Sequence, residues 1–166
     1  MIVDILKLSE KPKYLYSGSV ILAFPLDLPD GFFDKYSFLD ETANAFGLDV
    51  FGNVFLEKRG ESYLLNIETG DAELISPSLE SFYLALEEDS DYLSGVGLLR
   101  KWERKYGPLP KDYRLMPAVP FFLGGEYAVD NIKSAPTMQV LSLFSDLHEK
   151  TRDVPDGTPI EISFFD

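Results

Sequence analysis

The sequence contains no cysteine and a single histidine, His148. Without thiols, the chain cannot form a disulfide, a zinc–thiolate site, an iron–sulfur cluster or a cysteine nucleophile. One histidine excludes a multi-histidine metal site, and any Ser–His–Asp mechanism would depend on this one side chain. Because His148 lies among polar neighbours in a helical pattern, we predict that it is partly exposed. The sequence supports no catalytic residue, no metal site and no cofactor.

Positive charge is also scarce. Fifteen basic side chains face 28 acidic ones, for a net charge of −13, and no Lys or Arg occurs between Arg59 and Arg100, where nine acidic residues fall. This charge repels nucleic acids and anionic lipid surfaces, so neither is an expected partner. The acidic stretch has two open interpretations: a surface that attracts a basic partner, or a solvated surface that keeps the protein in solution.

Long hydrophobic runs are missing as well. No apolar stretch approaches the roughly 20 residues of a membrane-spanning helix, and the first residues lack the pattern of a secretory signal. We therefore expect a cytoplasmic protein. A chain of 166 residues with 45% hydrophobic and 14% aromatic content can bury a substantial core without a metal or disulfide. A single domain over residues 1–166 is predicted.

Strand signals are clearest between Val50 and Ile75. Three short apolar segments are separated by Arg59–Gly60–Glu61 and by Glu68–Thr69–Gly70–Asp71, both typical of hairpin turns. The pattern predicts a three-stranded antiparallel meander. In its middle strand, alternate residues from Tyr63 to Ile67 are strongly apolar and those from Ser62 to Asn66 are mixed. This alternation predicts helices on one side of the sheet.

Three helices are predicted after the meander. The first has Ser76 as N-cap and Pro77 at its first position, the second is "VGLLRKWERKYG" and ends at Gly107, and the third lies in "SAPTMQVLSLFSDLHEKTRDV". The first helix should pack on the meander through an apolar stripe formed by Leu79, Phe82, Tyr83 and Leu86. Alternation of Ile160, Ile162 and Phe164 predicts a closing strand.

The stretch "FFLGGEYAVDN" is the most loop-like glycine motif. A phosphate-binding loop would end in Lys–Ser or Lys–Thr at a helix start, whereas Gly124–Gly125 is followed by Glu126, and no lysine comes before Lys133. Glu126 and Asp130 would repel a phosphate. We therefore interpret Gly124–Gly125 as a turn.

Charged clusters give no clear reaction chemistry. The acids from Glu87 to Asp91 lack the spacing of a calcium loop, and no carboxylate pair stands out as an acid/base pair. A local basic patch either contacts RNA or, as we favour, pairs with the acidic stretch; it consists of Arg100, Lys101, Arg104, Lys105, Lys111 and Arg114. A small hydrolase with buried carboxylates stays open as a further class. By elimination, non-catalytic binding is the leading interpretation.

A set of short motifs supports a family resemblance. They are Phe51–Gly52–Asn53–Val54, Glu68–Thr69–Gly70, Pro120 with Leu123–Gly124–Gly125, Asn131, and Asp156–Gly157–Thr158. On these residues the chain resembles bacterial members of the SUKH superfamily, the Smi/Knr-like proteins, over residues 46 to 164. It is also similar to the Tdi-type immunity family of type VI secretion around "FGNVFL" and "LGGEYAVDN".

The resemblance implies a fold and a function. The implied fold is α+β: a single SUKH-like domain with a mixed or antiparallel twisted sheet flanked by helices. The implied function is that of an immunity protein, not an enzyme, which binds a cognate toxin domain and blocks it. The alternative is an intracellular regulatory or scaffold module, because the superfamily also includes eukaryotic signalling proteins.

The acidic stretch suggests where a partner binds. Many such toxins are basic nucleases, so we expect a basic toxin to contact the segment from Gly60 to Leu99. The predicted partner-binding residues are Glu80, Tyr83, Glu87, Glu88, Asp89 and Asp91. Exposed tyrosines are further candidates, since interface hot spots are rich in aromatic residues. Both a monomer and a dimer agree with the sequence.

Overall fold

The computed structural model describes residues 1–162, and in that range the strands form two antiparallel sheets. The strand bounds are β1 Lys13–Leu15, β2 Val20–Leu22, β3 Ala43–Leu48, β4 Val54–Lys58, β5 Glu61–Leu65, β6 Ala72–Ser76, β7 Tyr113–Pro117 and β8 Ile132–Pro136. The larger sheet runs from β1 to β6 in chain order, and the smaller one pairs β7 with β8. This single-domain α+β fold confirms the predicted class, with antiparallel pairing throughout.

The predicted meander corresponds to β4, β5 and β6. Lys58 pairs with Glu61, so Arg59 and Gly60 alone form the first turn, and their φ angles of 53° and 88° suit a tight hairpin. In the second turn, the side-chain Oδ1 of Asn66 accepts hydrogen bonds from the backbone N–H groups of Glu68 and Thr69 at 2.9 and 3.2 Å. Both turns are local, which is why the sequence predicted them.

The helices lie before, between and after the strands. Their bounds are α1 Ile2–Leu6, α2 Phe82–Glu88, α3 Ser90–Ser94, α4 Val96–Tyr106 and α5 Thr137–Thr151. The predicted second and third helices are confirmed as α4, which ends at Gly107, and α5. Among residues 1–162, no helix combines the length and the apolar character needed to cross a bilayer.

Helices cover both faces of the six-stranded sheet, so the prediction of helices on one side is wrong. On one face, Leu65 and Ile67 pack in a cluster with Phe144 of α5. On the other face, Leu64 packs in a cluster with Phe82 of α2, as predicted for that helix. Ser62, which belongs to the alternating set predicted to be mixed in character, is fully buried. Its hydroxyl forms a hydrogen bond with that of Ser76 on the neighbouring strand. A satisfied hydroxyl can be buried at little cost.

A third apolar cluster joins α4 to the small sheet. It contains the side chains of Val50, Phe51, Leu98, Leu99, Trp102, Leu115 and Ile132. Trp102 is buried, as predicted, and its indole N–H donates to the carbonyl of Ile132 at 3.3 Å. This cluster fixes the loop between β3 and β4 against the small sheet, which matters for the site described below.

Two predicted boundaries are wrong. Ser76 belongs to β6, and Ser78 is the capping residue: its side chain accepts from the backbone N–H of Ser81 at 3.3 Å, ahead of a short 3-10 helix that leads into α2. At the other end, residues 159–162, including Ile160 and Ile162, have no strand geometry or partner strand. Phe164, the third residue of the predicted strand, lies outside the described residues.

Candidate functional site

The main cleft lies at one end of the large sheet. Antiparallel pairing brings the β3–β4 connection (residues 49–53) and the β5–β6 connection (residues 66–71) to the same end. The α2–α3 junction (residues 89–92) and the loop at residues 121–127 complete the walls. The cleft has a volume of about 850 Å³, which is enough for a segment of a partner molecule.

One wall is aromatic. The rings of Phe51, Phe121 and Tyr127 pack against one another with centroid separations of 5.5 to 5.6 Å. Phe51 is buried, whereas Tyr127 is 58% exposed and faces the cleft. Desolvation of its covered part, followed by the charges of Asp49 and Asp91, raises the pKa of Tyr127 to about 12. The tyrosine is therefore neutral and presents an aromatic surface beside carboxylates.

The Gly124–Gly125 turn holds this wall in place, which confirms the interpretation of the motif as a turn. Gly124 has a φ of 91°, and the N–H of Gly125 donates to the carbonyl of Pro120 at 3.0 Å. A Cβ atom on Gly125 would lie 1.8 Å from the carbonyl oxygen of Val119. Only glycine fits there without backbone movement, so the chain can reverse tightly between Phe121 and Tyr127.

Glu68 fastens the same loop to the sheet. Its buried carboxylate accepts hydrogen bonds from the backbone N–H groups of Phe121 and Phe122, at 3.2 and 3.0 Å. Burial raises the pKa of Glu68, and the two hydrogen bonds oppose that shift. From the sequence, Glu68 is one of the nine acids of the acidic stretch and was expected at the surface. In the structure it links the β5–β6 turn to the aromatic wall.

The other walls of the cleft are acidic. The exposed carboxylates that line the cleft are Asp71, Glu73, Asp89 and Asp91, and no lysine or arginine of residues 1–162 lines it. The hydroxyl of Tyr92 donates to Glu73 Oε2 at 2.7 Å, and Asp91 Oδ1 accepts from the N–H of Gly97 at 2.8 Å. The hydrogen bond to Glu73, then burial and the nearby acids, raises the pKa of Tyr92 to about 12.

A fifth carboxylate, Asp49, lies at the floor of the cleft. Its Oδ1 accepts from the backbone N–H groups of Phe51 and Asn53, and its Oδ2 accepts from the side-chain amide of Asn53, each at 2.9 Å. Burial raises the pKa of Asp49 to about 6, against the opposing effects of these hydrogen bonds and of the Arg114 charge. Asp49 thus organises the β3–β4 loop and adds negative potential from below.

Arg114 is not a surface cation, which corrects its place in the predicted basic patch. It is 1% exposed, and its guanidinium donates to the carbonyls of Gly18, Ser19, Asp49 and Tyr113 at 2.8 to 3.3 Å. Burial lowers its pKa to about 10. Within residues 1–162, no ion pair joins the patch to the acidic stretch; Lys105 pairs with Asp130 instead, at 2.9 Å. That expected pairing is therefore wrong.

The predicted binding residues divide into two groups. Asp89 and Asp91 line the cleft. Glu80, Glu87 and Glu88 are exposed but lie outside it, on α2 and the short 3-10 helix before it; we call these three residues the outer α2 face. Tyr83 also lies outside the cleft: its hydroxyl donates to the carbonyl of Leu6 at 2.5 Å and accepts from Lys13 Nζ at 3.2 Å, so it fastens α1 to α2.

His148 is buried, at 7% exposure, so the prediction of a partly exposed residue is wrong. Its ring stacks on Tyr36 at 4.7 Å, and Nδ1 lies 3.3 Å from the carbonyl oxygen of Glu68. Burial is the main cause of its lowered pKa. His148 lines a separate pocket of about 310 Å³ rather than the cleft. No group of three or more acidic or histidine side chains in residues 1–162 is arranged to hold a metal ion.

Comparisons with known proteins extend only to the fold. No protein-family model matches the sequence, and neither does any curated protein. Among solved structures, the chain is similar to the crystal structure of Atu4351 from Agrobacterium tumefaciens, with a TM-score of 0.55 and 12% sequence identity. The alignment covers 86% of this chain and 73% of that one. The two proteins therefore share an overall fold.

Proposed function

We propose that this protein is a non-enzymatic, cytoplasmic immunity protein that binds and neutralises a cognate toxin domain with a basic surface. The observation that carries the proposal is the cleft, which is lined by exposed carboxylates and exposed tyrosines without any basic side chain of the described chain. Such a surface attracts a positively charged protein and offers aromatic contact area once it arrives. The SUKH resemblance supports the same assignment.

The roles of the buried acids favour binding over catalysis. Asp49 and Glu68, whose pKa values are raised as those of catalytic acids often are, accept hydrogen bonds from backbone N–H groups of their own chain. They therefore stabilise loops around the cleft. The only histidine of the sequence lies outside the cleft, so the cleft has no obvious proton-transfer partner for a hydroxyl nucleophile.

Electrostatics supports the choice of a basic partner. The net charge of −13 gives the whole molecule a negative potential, and the cleft concentrates it in a concave surface. Association with a basic domain is then accelerated by long-range attraction, which is an advantage for an inhibitor that must intercept a toxin before it acts.

The test is co-expression with the product of each adjacent open reading frame, scoring cell survival and co-purification together. We expect one neighbour to be toxic alone and to be neutralised in a stable complex. The variant Asp71→Lys/Glu73→Lys should lose both protection and the complex. The matched control Glu80→Lys/Glu87→Lys makes the same charge change on the outer α2 face and should keep both.

Two outcomes would overturn the proposal. If no neighbour is toxic and none binds, the immunity assignment fails. If a non-toxic neighbour forms the complex, the regulatory or scaffold module becomes the better assignment. Thermal melts of both variants, compared with the unaltered protein, separate lost binding from lost folding.

A further inference from the structure

We infer that the cleft receives an arginine side chain of the partner protein as its anchor. This inference rests on the proposed function, because it takes the occupant of the cleft to be a protein. The lining of the cleft combines aromatic rings with carboxylates that present oxygen acceptors. A guanidinium uses both, because it stacks flat on an aromatic ring and donates paired hydrogen bonds to carboxylates.

Other aromatic rings in this protein are already in contact with cations of the chain, which supports a cation as the anchor. Four rings each carry a lysine of the chain itself, with the ammonium 4.4 to 5.3 Å from the ring centre; they are Tyr14, Phe38, Tyr83 and Tyr106. Tyr92 and Tyr127 are among the most exposed aromatic side chains, at 60% and 58%, and in residues 1–162 no lysine or arginine lies over them. The cleft tyrosines therefore offer cation-binding faces that the chain leaves uncovered.

Acceptors for the guanidinium remain available among the acids that line the cleft. The carboxylates of Asp71 and Asp89 accept no hydrogen bond from residues 1–162. Glu73 uses Oε2 for Tyr92, and Asp91 uses Oδ1 for Gly97, which leaves one oxygen of each for a ligand. Anchoring these two acids in place lowers the entropy cost of binding, since their side chains are already oriented.

Arginine fits this chemistry better than lysine. An ammonium is a compact, strongly hydrated charge, whereas a guanidinium is planar, weakly hydrated and matched to both an aromatic ring and a carboxylate. The cleft, at about 850 Å³, is also larger than one guanidinium, so neighbouring residues of the partner segment have space beside the anchor.

The test uses three capped tetrapeptides as probes: tetra-arginine, tetra-lysine and tetra-citrulline, the last being an uncharged near-isostere of arginine. Amide chemical-shift changes in ¹⁵N NMR spectra would locate each probe and give its dissociation constant. We expect tetra-arginine to perturb Asp71, Tyr92 and Tyr127, to bind about fivefold more tightly than tetra-lysine, and tetra-citrulline not to bind.

Variants separate the two parts of the site. Tyr92→Leu/Tyr127→Leu should abolish the preference for arginine over lysine, Asp71→Asn/Glu73→Gln should weaken both peptides, and Tyr106→Leu, which removes an exposed tyrosine outside the cleft, should change neither. The inference would be overturned by equal affinity for the arginine and lysine peptides or by binding outside the cleft. It would also be overturned if free arginine bound as tightly as tetra-arginine.

The outcome is distinguishable from failure of the proposed function. If arginine peptides do not enter the cleft but Asp71→Lys/Glu73→Lys still loses protection, the anchor is wrong and the immunity assignment stands. If arginine peptides bind in the cleft but no neighbouring gene product is neutralised, the anchor stands and the immunity assignment is wrong.

Discussion

The exposed acids of the cleft and those of the outer α2 face come from the same acidic stretch of sequence, yet their surroundings differ. The cleft is concave, is backed by three packed aromatic rings, and is held by hydrogen bonds from distant parts of the chain. Glu80, Glu87 and Glu88 protrude from a helical surface into solvent. Charge density therefore locates an acidic region, and shape selects the part of it that suits a partner.

The largest effect that would sharpen this comparison is expected from Gly125→Ala. The new Cβ would meet the Val119 carbonyl, a backbone group that cannot turn aside, so we expect a loss of about 3 kcal/mol in unfolding free energy. The comparison variant Gly60→Ala strains the backbone, because Gly60 has a positive φ of 88°, but its new Cβ would have no atom within 4 Å, and it should lose only about 1 kcal/mol. Urea denaturation measures both; equal losses would contradict the rigid cleft wall.

A second effect concerns the protonation of Asp49 at the floor of the cleft. Carbon-detected NMR titration of the Asp49 carboxyl should give a pKa of about 6, and Asn53→Ala should raise it further by removing the side-chain amide hydrogen bond to the ionised form. A midpoint close to the ordinary value of 3.8 would show that Asp49 is solvated and that the floor is open.

The same titration has a consequence for stability. Because the folded pKa of Asp49 lies above its unfolded value, folding takes up a proton between these two pKa values. This group therefore makes the protein less stable as the pH rises from about 4 to about 6, by up to about 3 kcal/mol. The exposed carboxylates of the outer α2 face have no comparable burial.

The smallest effect concerns binding kinetics with a basic partner. Glu73→Gln in the cleft and Glu80→Gln on the outer α2 face should each slow association by about twofold at low salt, because both contribute to long-range attraction. Only Glu73→Gln should also speed dissociation, since only the cleft makes contact. Stopped-flow measurements at two salt concentrations test this; faster dissociation with Glu80→Gln would move the interface to α2.

The parts of the fold that could be predicted are those with local signals. The meander turns and helices α4 and α5 are specified by glycines and apolar stripes within a few residues. The misassigned N-cap has a non-local cause, because pairing of Ser76 with Ser62 extends β6 through the residue that would otherwise cap the helix. Both faces of β5 are covered because α5 packs on one and α2 on the other.

The site was only half predictable for the same reason. Asp89 and Asp91 belong to the acidic stretch, so the sequence indicated them. The aromatic wall was not predictable, because it joins Phe51 to Phe121 and Tyr127, and Phe51 precedes these two residues by about 70 positions in the chain. The sequence also does not distinguish Glu68, whose buried carboxylate holds a loop, from Glu73, whose carboxylate is exposed. The difference is that Glu68 accepts hydrogen bonds from backbone N–H groups, and those groups are in position only in the folded loop.

The chain-order arrangement of the large sheet has a consequence for how the protein folds. Each strand from β2 to β6 pairs with the strand synthesised just before it, so the sheet can grow in chain order while the ribosome is still translating. The sheet is complete at Ser76, but α5, which covers one of its apolar faces, begins only at Thr137. We expect nascent chains of intermediate length to be the species that most need chaperones.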